Sequence, residues 1–212
     1  MRERNLFITF EGMDGSGKTT QMRLLAERLR ARGCEVLETA EPGGTRIGRE
    51  IRRILLDAAN QELAPTAELL LYFACRAQNV DEWILPARAA GKIVLSDRFT
   101  DSTLVYQGCG RGLGAEKVMT LDRIACRGLV PDLTLLIDID AETSLARARA
   151  RNSFAQHSET RMDEQSLEFH RQVYQAYHAL AAREAHRFRI VDGRGAIDAI
   201  AAEVWAAVEP YV

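Results

Sequence analysis

Several things are scarce in this chain, and each scarcity excludes a class of protein. No apolar run approaches the roughly 18 residues that a membrane-crossing helix needs. Met1-Arg2-Glu3-Arg4 leads straight into a six-residue strand pattern, which predicts neither a signal peptide nor an anchor. Neither sign of charge dominates: 28 Lys and Arg face 30 Asp and Glu, for a net charge of −2. Such a chain carries no broad basic field, so neither nucleic acid nor a membrane surface is expected as a partner. Cysteine is sparse and scattered: Cys34, Cys75, Cys109 and Cys126 form no C-x-x-C and no Cys/His pairing. That excludes a zinc module and suits free thiols in a reducing cytoplasm. No internal repeat or low-complexity linker divides the chain. Residues 1–212 are therefore read as one domain with a short mobile lid at about 149–163. There is no Asn-Lys pair, so the N-K-x-D element with which GTPase switches read guanine is missing.

What is present begins at once. Leu6-Phe7-Ile8-Thr9-Phe10-Glu11 reads as a strand, and a glycine-rich loop follows: Gly12-Met13-Asp14-Gly15-Ser16-Gly17-Lys18-Thr19-Thr20. A helical pattern starts behind it. Strand, G-x-x-x-x-G-K-[ST] and helix in that order form a phosphate cradle. Gly12, Gly15 and Gly17 let backbone N–H groups curl around an anion, and Lys18 reaches β- and γ-phosphate oxygens. The Thr19 hydroxyl is placed for Mg²⁺, and the helix N-terminus adds its partial positive charge. The expected ligand is a nucleoside triphosphate with Mg²⁺.

Further strands are predicted at 34–39, 92–96, 132–138 and 187–191. Helices are predicted at 47–56, 66–90, 115–125, 141–151, 163–185 and 196–208. The polar stretch 152–160 lacks apolar periodicity and is read as mobile. Alternating strands and helices predict an α/β fold, a five-stranded parallel sheet with helices on both faces. Ligands in such sheets bind beyond the strands' C-terminal ends, where the cradle, Glu41-Pro42-Gly43-Gly44-Thr45 and Asp97-Arg98 all fall. Arg98 can fork onto a second phosphate, Tyr72 or Phe73 can stack on a base, and Arg76 can read its edge. Spacing alone leaves Arg76 equally readable as a surface arginine. Together these residues suggest an acceptor that is itself a nucleotide. Another nucleoside monophosphate kinase, or a regulatory or partitioning ATPase, are the competing readings.

The cradle, the E-P-G-G-T turn, Asp97-Arg98-Phe99 with Ser102 and Tyr106-Gln107-Gly108, and Pro131-Asp132-Leu133-Thr134-Leu135-Leu136-Ile137-Asp138 together resemble the bacterial thymidylate kinases over essentially the whole chain. The resemblance implies Mg²⁺-dependent phosphoryl transfer from ATP to dTMP and a homodimer. It implies that Asp14 contacts the 3′-hydroxyl of the acceptor sugar and that Arg98 holds the acceptor phosphate. Arg76 would read thymine O4, and Tyr106 would flank the deoxyribose. Pro42, Ser102, Thr103 and Gln107 would line the base pocket. It favours Tyr72 as the stacking ring, with Phe73 left open, and it gives Asp97 a place in the magnesium shell, through water. One branch of the family carries an arginine where this chain has Gly15. The transfer charge is then expected from Arg149, Arg151 and Arg161, with Arg151 best matching the lid position. Ala40, Cys109 and Thr160-Arg161-Met162-Asp163 depart from the usual pattern.

Overall fold

The computed structural model describes residues 5–155 and 159–212, with residues 151–155 described by their backbone alone. Five parallel strands, β1 (Phe7–Glu11), β2 (Val36–Ala40), β3 (Ile93–Asp97), β4 (Leu133–Asp138) and β5 (Phe188–Asp192), lie in the order β2-β3-β1-β4-β5. The strand that feeds the cradle is thus the middle one, and every residue of β1 is buried. Strand register brings the C-terminal ends to one rim: Phe10 pairs with Asp97, Ala40 with Asp97, and Asp138 with Asp192.

Alternation along the strands builds two cores. Ile8, Phe10, Leu95, Leu133 and Leu135 point to the face covered by α1 (Lys18–Ala31) and α9 (Ile197–Val208), through Met22, Leu25, Leu29, Val204 and Trp205. Phe7, Val94 and Leu136 point to the opposite face. There they meet α3 (Pro65–Asn79), α6 (Ala115–Ala125) and α8 (Leu167–Arg183). The remaining α-helices among the described residues are α2 (Arg46–Leu56), α4 (Leu85–Ala89), α5 (Thr100–Thr103) and α7 (Ala141–Ala155). No helix among the described residues is long and apolar enough to cross a membrane.

Three predicted elements differ. The helix expected over 66–90 is interrupted by a π-helical turn, Val80–Ile84, in which the Leu85 N–H bonds to the Val80 carbonyl. Pro86 has no N–H to continue the α ladder, and the wider turn absorbs the break. The stretch read as mobile is helical at its start, since α7 runs to Ala155. Residues 156–158 lie outside the described residues. At the far end Arg161, Met162 and Asp163 are buried. The Arg161 N–H bonds to the Leu56 carbonyl at 3.2 Å. Finally, α8 starts at Leu167 rather than 163, because the Ser166 hydroxyl caps it by accepting from the Phe169 N–H at 3.1 Å.

Candidate functional site

Along the rim of the sheet lies a cavity of about 610 Å³. At one end is the phosphate cradle. Gly12, Gly15 and Gly17 have φ of 131°, 75° and 97°, all in the region open to glycine. A Cβ on Gly12 would stand 2.4 Å from the Ile137 carbonyl oxygen, so only glycine lets the loop leave β1 against β4. No side chain caps α1, whose first N–H groups face the loop. Lys18 lies across it and donates to the Met13 carbonyl at 2.7 Å, while the Met13 side chain is anchored in the core. Ser16 Oγ is buried without a partner among the described residues. Thr19 donates to the Asp97 carboxylate, and Thr20 lines the cavity. Burial, helped by the Arg98 charge, pushes the Lys18 ammonium down to about 8.

The centre is organised by Arg98, directly after β3. Its φ of 72° is unusual for a residue with a side chain. The guanidinium is held by four partners. One guanidinium nitrogen contacts Asp14 at 2.9 Å and Tyr106 at 3.5 Å, and the other contacts Ser102 at 2.9 Å and Tyr177 at 3.1 Å. Behind them Glu11, at the end of β1, accepts from the Phe99 N–H at 2.8 Å, from Ser102 Oγ at 2.5 Å and from the Tyr177 hydroxyl at 2.9 Å. Burial and the neighbouring Asp101 raise the Glu11 carboxyl to about 7, against the pull of Arg98. Glu11 and Tyr177 were not singled out from the sequence. Nothing in a strand-end Glu or a helical Tyr marks it before the fold brings them together.

The other end of the cavity is built around Arg76. Its spacing could not tell a surface arginine from a buried one, but the guanidinium is 1% exposed. Nε contacts Glu41 at 2.5 Å, and Nη2 donates to the Phe99 carbonyl and to Thr103 Oγ1 at 2.9 Å. Nη1 is buried with no partner among the described residues. Arg76 lines the cavity, and Nη1 is the guanidinium nitrogen left without a protein acceptor among the described residues. Asn79 fixes the other Glu41 oxygen at 3.0 Å. The strand-end position of the E-P-G-G-T turn was the only sequence signal for Glu41. The two rings are placed differently: Tyr72 lines the cavity, while Phe73 belongs to the core beneath Arg76. Pro42, Ser102, Thr103, Tyr106 and Gln107 also line the cavity.

The lid arginines divide. Arg149 is exposed on α7, and the Arg151 side chain lies outside the described residues. Arg161 is buried, paired with Glu68 at 2.7 Å and donating to the Leu55 carbonyl at 2.6 Å. Arg147, one turn before Arg151 and absent from the expected set, does line the cavity. Its Cβ would stand 2.8 Å from a Cβ at position 15, so α7 approaches the loop where Gly15 has no side chain. Arg52 and Asp163 also line the cavity unforeseen; Arg52 bridges the Pro42 carbonyl and Glu159.

The glycine-rich loop, Arg98 and Arg76 thus line one cavity along the rim of the sheet. Comparison with known proteins shows the family. A family model described as Thymidylate kinase matches residues 10–204. The chain is 53% identical over 203 residues to the thymidylate kinase of Pelobacter propionicus, covering 95% of this chain and 93% of that one. It is 50% identical over 199 residues to that of Geobacter sulfurreducens, covering 93% of each. A crystal structure of thymidylate kinase from Ehrlichia chaffeensis superposes with a TM-score of 0.79 at 32% identity, covering 97% of this chain and 98% of that one. Sequence, fold and site geometry together place this chain in the thymidylate kinase family.

Proposed function

We propose that this chain transfers the γ-phosphoryl group of ATP to dTMP, giving ADP and dTDP on the way to dTTP. The observation that carries the reading is one cavity lined by Lys18 and Arg98 at its phosphate centre and by Tyr72 and Arg76 at the opposite end, the base end. ATP phosphates lie in the cradle, with Lys18 moving from the Met13 carbonyl onto them. The dTMP phosphate lies on Arg98, and Tyr72 stacks on thymine while Arg76 donates to O4. Asp14 takes the 3′-hydroxyl while keeping Arg98 in place, and Tyr106 flanks the sugar. Thr19 Oγ1 and the Asp97 carboxylate present hard oxygen donors side by side, a fit for Mg²⁺, with Asp97 acting through water. Bound Mg²⁺ offsets charge on the triphosphate. The residues themselves position and screen, and no covalent intermediate is needed. Arg147, Arg149 and Arg151 on α7 supply further positive charge to the transferred group, and Arg161 steadies the end of the lid.

The test is a coupled ADP assay over a panel of nucleoside monophosphates. Turnover with dTMP well above the others is expected, with little ATP hydrolysis when no acceptor is present. Acceptor-independent hydrolysis at the full rate would point to a regulatory ATPase instead.

The same reading carries a pH consequence. Free Lys18 titrates near 8, and triphosphate oxygens raise its pKa by stabilising the charged form. At pH 9 the free lysine is mostly neutral and the bound one charged, so ATP binding takes up close to one proton through this group. At pH 7 Lys18 is charged in both states and takes up none. Calorimetry in two buffers of different ionisation heat reads the difference, and equal uptake at both pH values contradicts it.

The chain works in the cytoplasm as a homodimer, without nucleic acid or membrane partners. Support for the dimer comes from Leu70 on α3 and Met119 and Ile124 on α6, exposed at 51%, 36% and 73% on two helices that pack together. Ile124→Glu is expected to yield monomer in sedimentation experiments, and an unchanged dimer would remove α6 from the interface.

A further inference from the structure

The wall of the base end contains a carboxylate that the proposed transfer does not use. Glu68 stands in the first turn of α3 and is fully buried. Side chains from three other places converge on it. Gln107 donates through Nε2 at 2.8 Å, Arg111 through Nε at 3.3 Å and Nη2 at 3.2 Å, and Arg161 closes the set at 2.7 Å. Burial alone would raise the Glu68 carboxyl. The hydrogen bonds of Gln107 and Arg111, with the charges of Arg111 and Arg161, hold it below its ordinary value instead. Glu68 is thus ionised at neutral pH, and an ionised carboxylate only accepts.

A carboxamide has two ends of similar shape and opposite character. With its N–H given to Glu68, the Gln107 amide cannot turn over without setting its oxygen against a carboxylate. Gln107 lines the cavity, and the hydrogen bond of its side chain among the described residues runs from Nε2. The free end is therefore the acceptor, Oε1. The Arg76 guanidinium, a donor only, lines the same end of the cavity. Thymine shows an acceptor, O4, beside a donor, N3–H. Cytosine shows the reverse, an N4 donor beside an N3 lone pair.

We propose that Glu68 is a positioning residue for base choice: it holds Gln107 with the amide oxygen toward the ligand and so selects a pyrimidine bearing N3–H over cytosine. This rests on the reading that a pyrimidine monophosphate occupies the cavity. Arg111 and Arg161 act as counter-charges that keep the carboxylate ionised and in place. The cost of cytosine is then a donor facing a donor and an acceptor facing an acceptor, both shut away from water.

The test compares kcat/KM for dTMP and dCMP in the full chain, its Glu68→Gln variant and its Glu68→Asp variant, with KM for ATP and Tm as controls. In Glu68→Gln the new amide can donate to Gln107, so the two orientations become comparable. Glu68→Asp keeps the charge facing Arg111 and Arg161 and withdraws the oxygen from Gln107, which covers the case in which Glu68→Gln does not fold. The expected result is a fall of about tenfold or more in the dTMP to dCMP ratio in the folded variants, with KM for ATP unchanged. A folded variant with the wild-type ratio, or with equal losses on both acceptors, overturns the role. Failure of both variants to fold also overturns it, since Glu68 would then hold the fold rather than set base choice. A wild-type chain that does not phosphorylate dTMP sinks the proposed function itself, a separate outcome.

Discussion

Arg98→Ala is expected to lower kcat/KM for dTMP by about a thousandfold or more. A guanidinium that forks onto a phosphate contributes several kcal/mol of charge-assisted bonding, and each ~1.4 kcal/mol is a factor of ten. Arg98 is also the cation that binds Asp14, Ser102 and Tyr177 together, so its removal disturbs the geometry of the acceptor as well as its charge. Arg98→Lys should recover only part of the loss, because an ammonium cannot hold a phosphate bidentately while keeping Asp14 in place. Steady-state kinetics with dTMP varied, alongside a melting curve, check this. Wild-type activity in a folded Arg98→Ala variant would move the acceptor phosphate away from Arg98.

Lys18→Met is expected to have the second large effect, a loss in kcat of about three orders of magnitude or more with only a modest change in KM for dTMP. Lys18 is buried, and in the proposed transfer its charge is the one that meets the charge spreading over the transferring phosphoryl group. Methionine keeps most of the volume, so the variant should fold, and what disappears is the ammonium. A fall in kcat with KM for dTMP nearly constant marks an interaction with the donor and the transition state rather than with the acceptor. A variant that instead loses only dTMP affinity would place Lys18 on the wrong substrate.

How far the site could be read in advance depended on how local each piece is. The cradle is contiguous, so Gly12 through Thr20 carry their own geometry. Arg98 and Asp97 end a strand, and strand ends in a parallel sheet face the ligand. The Tyr72 and Phe73 pair remained open because a helix places neighbouring residues about 100° apart, and only the position of the core decides which turns inward. Arg161 was expected among the lid charges. In the structure its guanidinium is tied to Glu68, a partner in α3 that sequence distance conceals. Arg147 was missed because one arginine among several on α7 carries no mark of its own until the helix comes to rest over Gly15.

Short-range chemistry, then, was decided by the chain itself: a strand pattern, three glycines free to take positive φ, a lysine, and alternation that turns each strand's residues to opposite faces. The tertiary structure alone decided which buried groups meet, since Glu11 and Tyr177 lie 166 positions apart, Gln107 and Glu68 39, and Arg76 and Glu41 35. Pairings at such distances cost the same desolvation wherever they form, so no local pattern announces them. Only a closed core that excludes water makes each carboxylate find its donors.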